Sequence, residues 1–451
     1  MQNNQRDYRF VDSTISLCPD CLKRVDAKII LRKGSIYLQK YCKQHGQQEV
    51  LLEEDGEYYL KRGDYDKPGS ISKPQTEINN GCPFDCGLCP DHEQHTCIGL
   101  IEVTNKCDLN CKFCYANSGE GKFLEMDKIG KMMDLFLDSE FGNAEILQIS
   151  GGEPTMHPEI IDIIKLAKSK GIKYVMLNTN GLRIADDEKF VKELSQFKGG
   201  FEIYLQFDSF DDKIYQDFRG KKLWEIKKKA IENLTKYKIP ITLVSTIKKG
   251  VNDHEIGKIV KFGLDSKYIR GVNFQPLAYF GRLKKEDKSE DRITITGVIS
   301  RMVSQMNGML KKEDFIPLPC DVDRVAITYL YKQGEEFIPL VRSINAKDYL
   351  PLIRNTFKFN PEDVLSDVMK NVFCGSGNCC NFADLFGKMK PIIPAKFFLK
   401  SKEEKIDYVS ENTFRISIVS FVDAYNFDMK SMKKECVHII TPDLKKIPFF
   451  E

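Results

Sequence analysis

The stretch "CIGLIEVTNKCDLNCKFCYA", residues 97 to 116, runs from an apolar β-type segment into three cysteines spaced C-x3-C-x2-C. The segment is strand length, and Cys107, Cys111 and Cys114 follow it in a loop too short to be a disulfide scaffold. Downstream the pattern repeats. "AEILQIS", "YVMLNTNG", "FEIYLQFD", "ITLVSTI" and "GVNFQPL" alternate with helical stretches such as "PEIIDIIKLAKSKG" and with helices expected near 186–197, 222–238 and 253–264. Six strands alternating with helices predict a parallel sheet, because each return crossover needs a helix. With six units and no G-x-G-x-x-G, an α/β fold with a partial (β/α)6 barrel is expected in place of a Rossmann sheet. Loops that follow the strands build the active site of such barrels, and the three cysteines fall in the first of them.

Four cysteines normally hold a [4Fe-4S] cluster, so three leave one iron open to an outside ligand. A zinc site with a distant fourth ligand, or ordinary buried thiols, is the competing reading. A second motif bears on the choice. "SGGEPT", residues 150 to 155, follows the strand "AEILQI". Its glycines, Gly151 and Gly152, allow close backbone approach, and Glu153 ahead of Pro154 can accept hydrogen bonds from an ammonium group.

The chain has 451 residues, enough for two or three domains. Lys plus Arg is 68 against 65 for Asp plus Glu, and the net charge of +3 names neither nucleic acid nor a membrane surface as partner. The absence of a long apolar run and of a charged leader predicts a cytoplasmic location. Fifteen cysteines in short-spaced groups argue for metal or cluster ligation over disulfides.

Residues 1–75 read as a metal knuckle in which Cys18, Cys21, Cys42 and His45 bind one ion. Three sulfurs and an imidazole suit zinc, while four sulfurs would suit rubredoxin-like iron. Residues 76–97 carry Cys82, Cys86, Cys89 and Cys97, enough for a closed auxiliary [4Fe-4S] cluster, with zinc the alternative. At roughly 3.3 Å per residue, the strand from Cys97 to Thr104 would set that cluster about 20 Å from the Cys107 loop. Residues 98–284 form the barrel. Residues 285–451 are expected to be a C-terminal domain in which Cys320, Cys374, Cys379 and Cys380 make a further quartet, while Cys436 and His438 are structural. His92 and His95 line the second cysteine loop. The Lys-rich helix "KKLWEIKKKAIENL" reads as a solvated face with Trp224 packed inward.

"CDLNCKFCY" and "SGGEPT" together resemble the radical S-adenosylmethionine (SAM) superfamily. The resemblance implies a [4Fe-4S] cluster on Cys107, Cys111 and Cys114 whose open iron chelates SAM, with Gly151, Gly152, Glu153 and Pro154 receiving the methionine amino group. It further implies SAM contacts from Asn178 and Asn180 in "LNTNG". Asp208, Ser209 and Gln275, also at strand ends, either contact SAM or satisfy turn backbones.

The order of the N-terminal knuckle, "GCPFDCGLCPDHEQHTC" and "YLQFDSFDDKIYQDFRG" resembles the group containing tetraether lipid synthases and pterin-precursor methyltransferases. This implies hydrogen abstraction from an unactivated carbon, expected to join isoprenoid lipid tails, with methyl transfer to a pterin precursor as the alternative. A non-catalytic iron-sulfur electron carrier is the reading from another class. One or two auxiliary clusters, a low-potential electron donor such as ferredoxin or flavodoxin, and contact with a membrane face complete the expectation.

Overall fold

The computed structural model describes residues 6–116, 118–197, 199–283, 292–350, 356, 400–401, 404, 408 and 411–449; Cys374, Cys379 and Cys380 lie outside them. Its first unit is a four-stranded antiparallel meander of β1 (Arg9–Leu17), β2 (Arg24–Arg32), β3 (Ser35–Cys42) and β4 (Gly46–Glu53). Alternating Ile29, Ile36, Leu38 and Val50 fill its core. Cys18 directly follows β1 and Cys42 ends β3, so the meander returns both thiols to one end.

Six parallel strands follow: β5 (Ile98–Glu102), β6 (Ile146–Ser150), β7 (Tyr174–Thr179), β8 (Phe201–Gln206), β9 (Ile241–Ile247) and β10 (Ile269–Pro276). These are the strands expected from the sequence, buried on both faces as parallel strands are. Helices such as Met126–Ser139 cover the outer face with Ile129, Met132, Met133 and Phe136. The helix Trp224–Lys236 packs Trp224 against Phe207, Phe210 and Phe262 as expected. Lys227 departs from the expected solvated face, being fully buried.

The C-terminal segment does not stand apart as a separate layer. Its strands are β11 (Ile316–Leu318), β12 (Asp321–Gln333), β13 (Glu336–Pro339), β14 (Thr413–Val419), β15 (Val437–Ile440) and β16 (Lys446–Pro448). β14 pairs parallel with β10, and β15 pairs parallel with β5, so the segment extends both edges of the barrel sheet to 12 strands. The boundary expected near residue 285 is thus crossed by strand pairing, because exposed edges left by six strands have unpaired backbone groups to satisfy.

Buried polar contacts dock the meander on this body. The Lys40 Nζ donates to the carbonyls of Leu17 at 2.5 Å, Ala424 at 2.8 Å and Tyr425 at 2.9 Å. The Glu53 carboxylate accepts from the Thr296 amide at 3.1 Å, at the start of the helix Ile295–Gln305, and from the Glu54 amide at 3.0 Å. Burial pushes the Glu53 carboxyl up to about 7, against the hydrogen bonds from Thr294 and Thr296.

The folded protein therefore keeps this proton to higher pH than the unfolded chain. The contribution to stability is full below about pH 4.5 and is lost as pH rises through about 7. Relative to Glu53→Gln, the wild type should lose about 2 kcal/mol between pH 5.5 and 7, read from denaturant unfolding across that range. Parallel pH profiles for the two proteins would contradict the assignment.

Candidate functional site

The loop after β5 is held by the loop after β6. Gly152 donates its amide to the Thr104 carbonyl at 2.8 Å and Glu153 donates to the Lys106 carbonyl at 2.8 Å. A Cβ on Gly151, whose φ is +130°, would lie 2.1 Å from the Thr104 oxygen, and one on Gly152 would lie 2.1 Å from the Lys106 oxygen. The two glycines thus admit the cysteine loop itself. Cys107, Cys111 and Cys114 are half-buried there, the first two packed against Leu109, Tyr215 and Leu223. Burial pushes the Cys107 thiol up to about 12. A thiol so placed ionises against a cation, which is what a cluster iron supplies.

Glu153 is 2 % exposed and its carboxylate is the hub of the site. It accepts from the Thr155 amide at 3.1 Å, the Thr155 hydroxyl at 2.6 Å, the Thr179 hydroxyl at 2.7 Å and the Asn180 amide at 2.7 Å. Burial raises its proton affinity in opposition to these donors. Asn180 in turn donates to the Asp108 carboxylate at 2.6 Å, between Cys107 and Cys111, and Asn178 donates to the Ser150 hydroxyl at 3.2 Å. Pro154 opens the short turn that carries Thr155.

Asp208 and Ser209 are fully buried and spent on protein partners. Asp208 takes a two-pronged ion pair from Arg219, Nε at 2.7 Å and Nη2 at 2.8 Å, while the Ser209 hydroxyl donates to Glu255. Burial opposes the Arg219 charge, but Asp208 and the adjacent Cys111 hold the guanidinium above its ordinary range. Asp208 therefore positions a cation beside a loop thiol. Lys227 Nζ lies behind it, donating to the Asn180 carbonyl at 2.6 Å and to Gln206 at 2.7 Å, and burial pulls it down to about 7. Gln275, next to last in β10, is half-buried and in register with Thr246.

Two features of this site were not anticipated. Glu102, at the end of β5, lies against Tyr115, and its Oε1 is buried with no hydrogen-bond partner among the described residues. A lone carboxylate in "IGLIEVT" was the available signal. The Tyr115 hydroxyl meets Ser150 at 3.3 Å, and its ring lies 5.1 Å from Phe449, which packs with Phe421 at 4.8 Å and Phe280 at 6.5 Å. Tyr115 stands out in the sequence as the aromatic residue after the cysteines, but its meeting with Phe421 and Phe449 does not, because that depends on the C-terminal segment returning to the cysteine loop.

The other thiols separate into distinct places. In the meander, Cys18, Cys21, Cys42 and His45 bring their ligand atoms within 4.8 Å of one another. Cys21 and Cys42 stand 3.8 Å apart, and the His45 Nδ1 is 3.4 Å from Cys18 and 3.5 Å from Cys42. A tetrahedron with Zn–S of about 2.3 Å has an edge of about 3.8 Å. The Gln44 amide and His45 draw the Cys42 thiol down to about 6. Cys82, Cys86 and Cys89 line one small cavity with His92. Cys97 is not part of its lining; it meets Cys320 and Cys436 instead, so the expected quartet regroups and Cys436 is not the isolated residue it looked.

Residues 101–263 match the Radical SAM superfamily, and residues 10–54 match the HMPTM N-terminal zinc ribbon domain. The chain is 34% identical over 470 residues to 7,8-dihydro-6-hydroxymethylpterin dimethyltransferase of Methanocaldococcus jannaschii, covering 97% of this chain and 92% of that protein. It is 27% identical over 253 residues to GTP 3',8-cyclase of Clostridium botulinum, covering 55% of this chain and 73% of that protein. Among solved structures, Streptococcus suis SuiB bound to S-adenosylmethionine is similar with a TM-score of 0.38 and 16% identity, over 47% of this chain and 49% of that one. The likeness to SuiB spans about half of each chain.

Replacing Gly151 with Ala should weaken SAM binding at least ten-fold, because the added carbon displaces the Thr104 carbonyl. Gly63→Ala, with open space around its Cβ, is the control. Equilibrium SAM binding to the reconstituted proteins reads the difference, and equal affinities would contradict the loop pairing.

Proposed function

This chain belongs to the radical SAM superfamily, and on that premise we propose that it transfers methyl groups to a carbon of a pterin precursor. The observation that carries the reading is the juxtaposition at the barrel mouth of Glu102 with the rings of Tyr115, Phe449, Phe421 and Phe280. A flat fused heterocycle offers a face for ring stacking and N–H groups at its edge. A buried carboxylate oxygen without a protein donor suits such an N–H.

Similarity over nearly the whole chain to an enzyme named for a dihydropterin supports the substrate class. A second relative is named for GTP, another fused nitrogen heterocycle. The expectation of joined isoprenoid tails gives way to this reading. Neither curated relative is named for a lipid, and an alkyl chain has no use for the carboxylate. An electron carrier would need no Gly-Gly-Glu-Pro loop. Among the described residues, no helix is long and apolar enough to cross a membrane.

Bound SAM and a reduced [4Fe-4S] cluster supply a carbon-centred radical able to remove hydrogen from an unactivated carbon. In this chain Cys107, Cys111 and Cys114 would hold the cluster, and the backbone at Gly151 and Gly152 fixes their loop. Glu153 and Asn180 orient the rim where SAM would lie. Arg219, pinned by Asp208, offsets thiolate charge beside Cys111. Glu102 and Tyr115 would orient the substrate ring, and the aromatic rings exclude water from it. Cys82, Cys86 and Cys89 would supply three ligands to an auxiliary cluster, and the ribbon ligands would hold zinc. A low-potential donor such as ferredoxin or flavodoxin would deliver the electrons.

Anaerobic protein supplied with SAM, a low-potential reductant and 7,8-dihydro-6-hydroxymethylpterin should yield methylated pterin by mass spectrometry. In a parallel reaction with deuterated isoprenoid lipid, 5'-deoxyadenosine should stay unlabelled. Deuterium from the lipid without methylated pterin would overturn the proposal in favour of lipid coupling.

Glu102→Gln should lower pterin methylation at least ten-fold while uncoupled SAM cleavage continues. Equal loss of both would place Glu102 at SAM and not at substrate. Cys111→Ala should abolish SAM cleavage while leaving ribbon metal in place, counted by metal analysis. Retained cleavage would refute the ligand assignment.

A further inference from the structure

Two segments of the chain carry the same C-x3-C-x2-C spacing, Cys82, Cys86 and Cys89 in the first and Cys107, Cys111 and Cys114 in the second. Three thiolates leave one iron of a [4Fe-4S] cluster open, so spacing alone would let both segments take SAM. A fourth protein ligand on one of them would separate their roles. Cys97, which short spacing offered to the first segment, lies instead with Cys320 and Cys436.

His92 stands in the vacated place. Its amide donates to the Cys89 carbonyl at 3.0 Å, and this bond closes a turn that brings His92 back within reach of Cys89. One cavity then has Cys82, Cys86, Cys89 and His92 in its wall. The other polar residues of that wall are engaged elsewhere. Asp85 Oδ2 accepts the amides of Asn79 at 2.7 Å, Asn80 at 2.5 Å and Gly81 at 2.6 Å. Asp91 faces the Lys433 ammonium at 3.3 Å, and an ammonium has no lone pair to give.

The His92 ring is held by one nitrogen only. Nε2 lies 2.9 Å from the Glu435 carbonyl, and a carbonyl oxygen can only accept. The ring proton is therefore on Nε2, and His438 Nε2, 3.0 Å away, meets the same N–H as an acceptor. Nδ1 of the neutral ring keeps its lone pair, and among the described residues it has no hydrogen-bond partner. A ligating histidine that donates its second nitrogen to a backbone carbonyl is a recurring support of metal centres.

We infer that His92 is the fourth ligand of the auxiliary cluster, bound through Nδ1 beside the thiolates of Cys82, Cys86 and Cys89. The inference rests on the reading that these three cysteines hold an iron-sulfur cluster. With His92 in place every iron has a protein ligand, so this cluster can pass electrons but cannot take SAM, which is left to the Cys107 loop. An imidazole also brings no negative charge where a fourth thiolate would bring one. The cluster is then easier to reduce, as in centres where histidines replace cysteines.

The test uses full-length Cys111→Ala protein, in which the SAM cluster is disabled, grown with 15N-histidine and reconstituted anaerobically with iron and sulfide. Adding Cys86→Ala should remove about four iron atoms and about four sulfides per chain. Electron-nuclear double resonance on the reduced Cys111→Ala protein should show the 15N coupling of a directly bound imidazole. His92→Cys in the same background should keep its iron and sulfide, lose the coupling, and reduce at a lower potential by a ten-fold or greater change in the reduction equilibrium, about 59 mV for one electron.

Zinc in place of the iron that Cys86 holds, or no metal there, overturns the cluster reading and the inference with it. A reduced cluster without the 15N coupling, a coupling that survives His92→Cys, or an unchanged potential overturns the assignment of His92 and leaves the cluster reading standing.

Discussion

Two backbone hydrogen bonds, from Gly152 to Thr104 and from Glu153 to Lys106, set the relation between the cysteine loop and the carboxylate behind it. Their geometry leaves no room for a Cβ on either glycine. The Glu153 network beside the loop starts from this contact. Glu153, held in place by it, gathers the Thr155, Thr179 and Asn180 donors, and Asn180 returns to Asp108 inside the cysteine loop. The closed circuit is the kind of buried network in which each bond fixes the next.

The charges behind the thiols follow the same economy of position. Arg219 and Lys227 are buried cations, and burial alone would expel or neutralise them. Asp208 keeps Arg219 charged through a two-pronged pair, and Phe113 packs 5.0 Å from the guanidinium on its ring face. Among the described residues Lys227 has no carboxylate in hydrogen-bond contact, and burial draws it toward neutrality. Arg219 therefore holds a buried positive charge beside the loop that collects thiolates, while Arg282 and Lys221 bind the backbone of that loop from its exposed side.

Much of this was legible in the sequence because period and apolarity carry it. Strands buried on both faces read as apolar runs, and the loops that end them carried Cys107, Glu153 and Asn180 in recognisable order. The C-terminal strands were not legible as part of the same sheet. "VHII" and "TFRISIV" carry no mark of which strand they join, since an edge strand's partner is chosen by tertiary fit. The same reason hid the union of Cys97 with Cys436, and the gathering of Phe421 and Phe449 over Tyr115. Short spacing suggested that Cys97 belonged with Cys89, whereas the strand pairing of β5 with β15 placed it elsewhere. Asp208 and Ser209 looked the same as Asn178 and Asn180 in sequence, all polar at strand ends. Burial puts Asn180 with Asp208 and Ser209, all held by protein partners, and leaves Asn178 alone half-buried.

The central claim is that the loop at Cys107, Cys111 and Cys114 holds a cluster with one iron open to SAM. Electron-nuclear double resonance on the anaerobically reduced protein, with SAM carrying 15N at its methionine amino group, measures this directly. The account predicts a nitrogen coupling to the reduced cluster that disappears in Cys111→Ala. A fully reduced cluster with SAM bound and no coupling from the labelled nitrogen would contradict it.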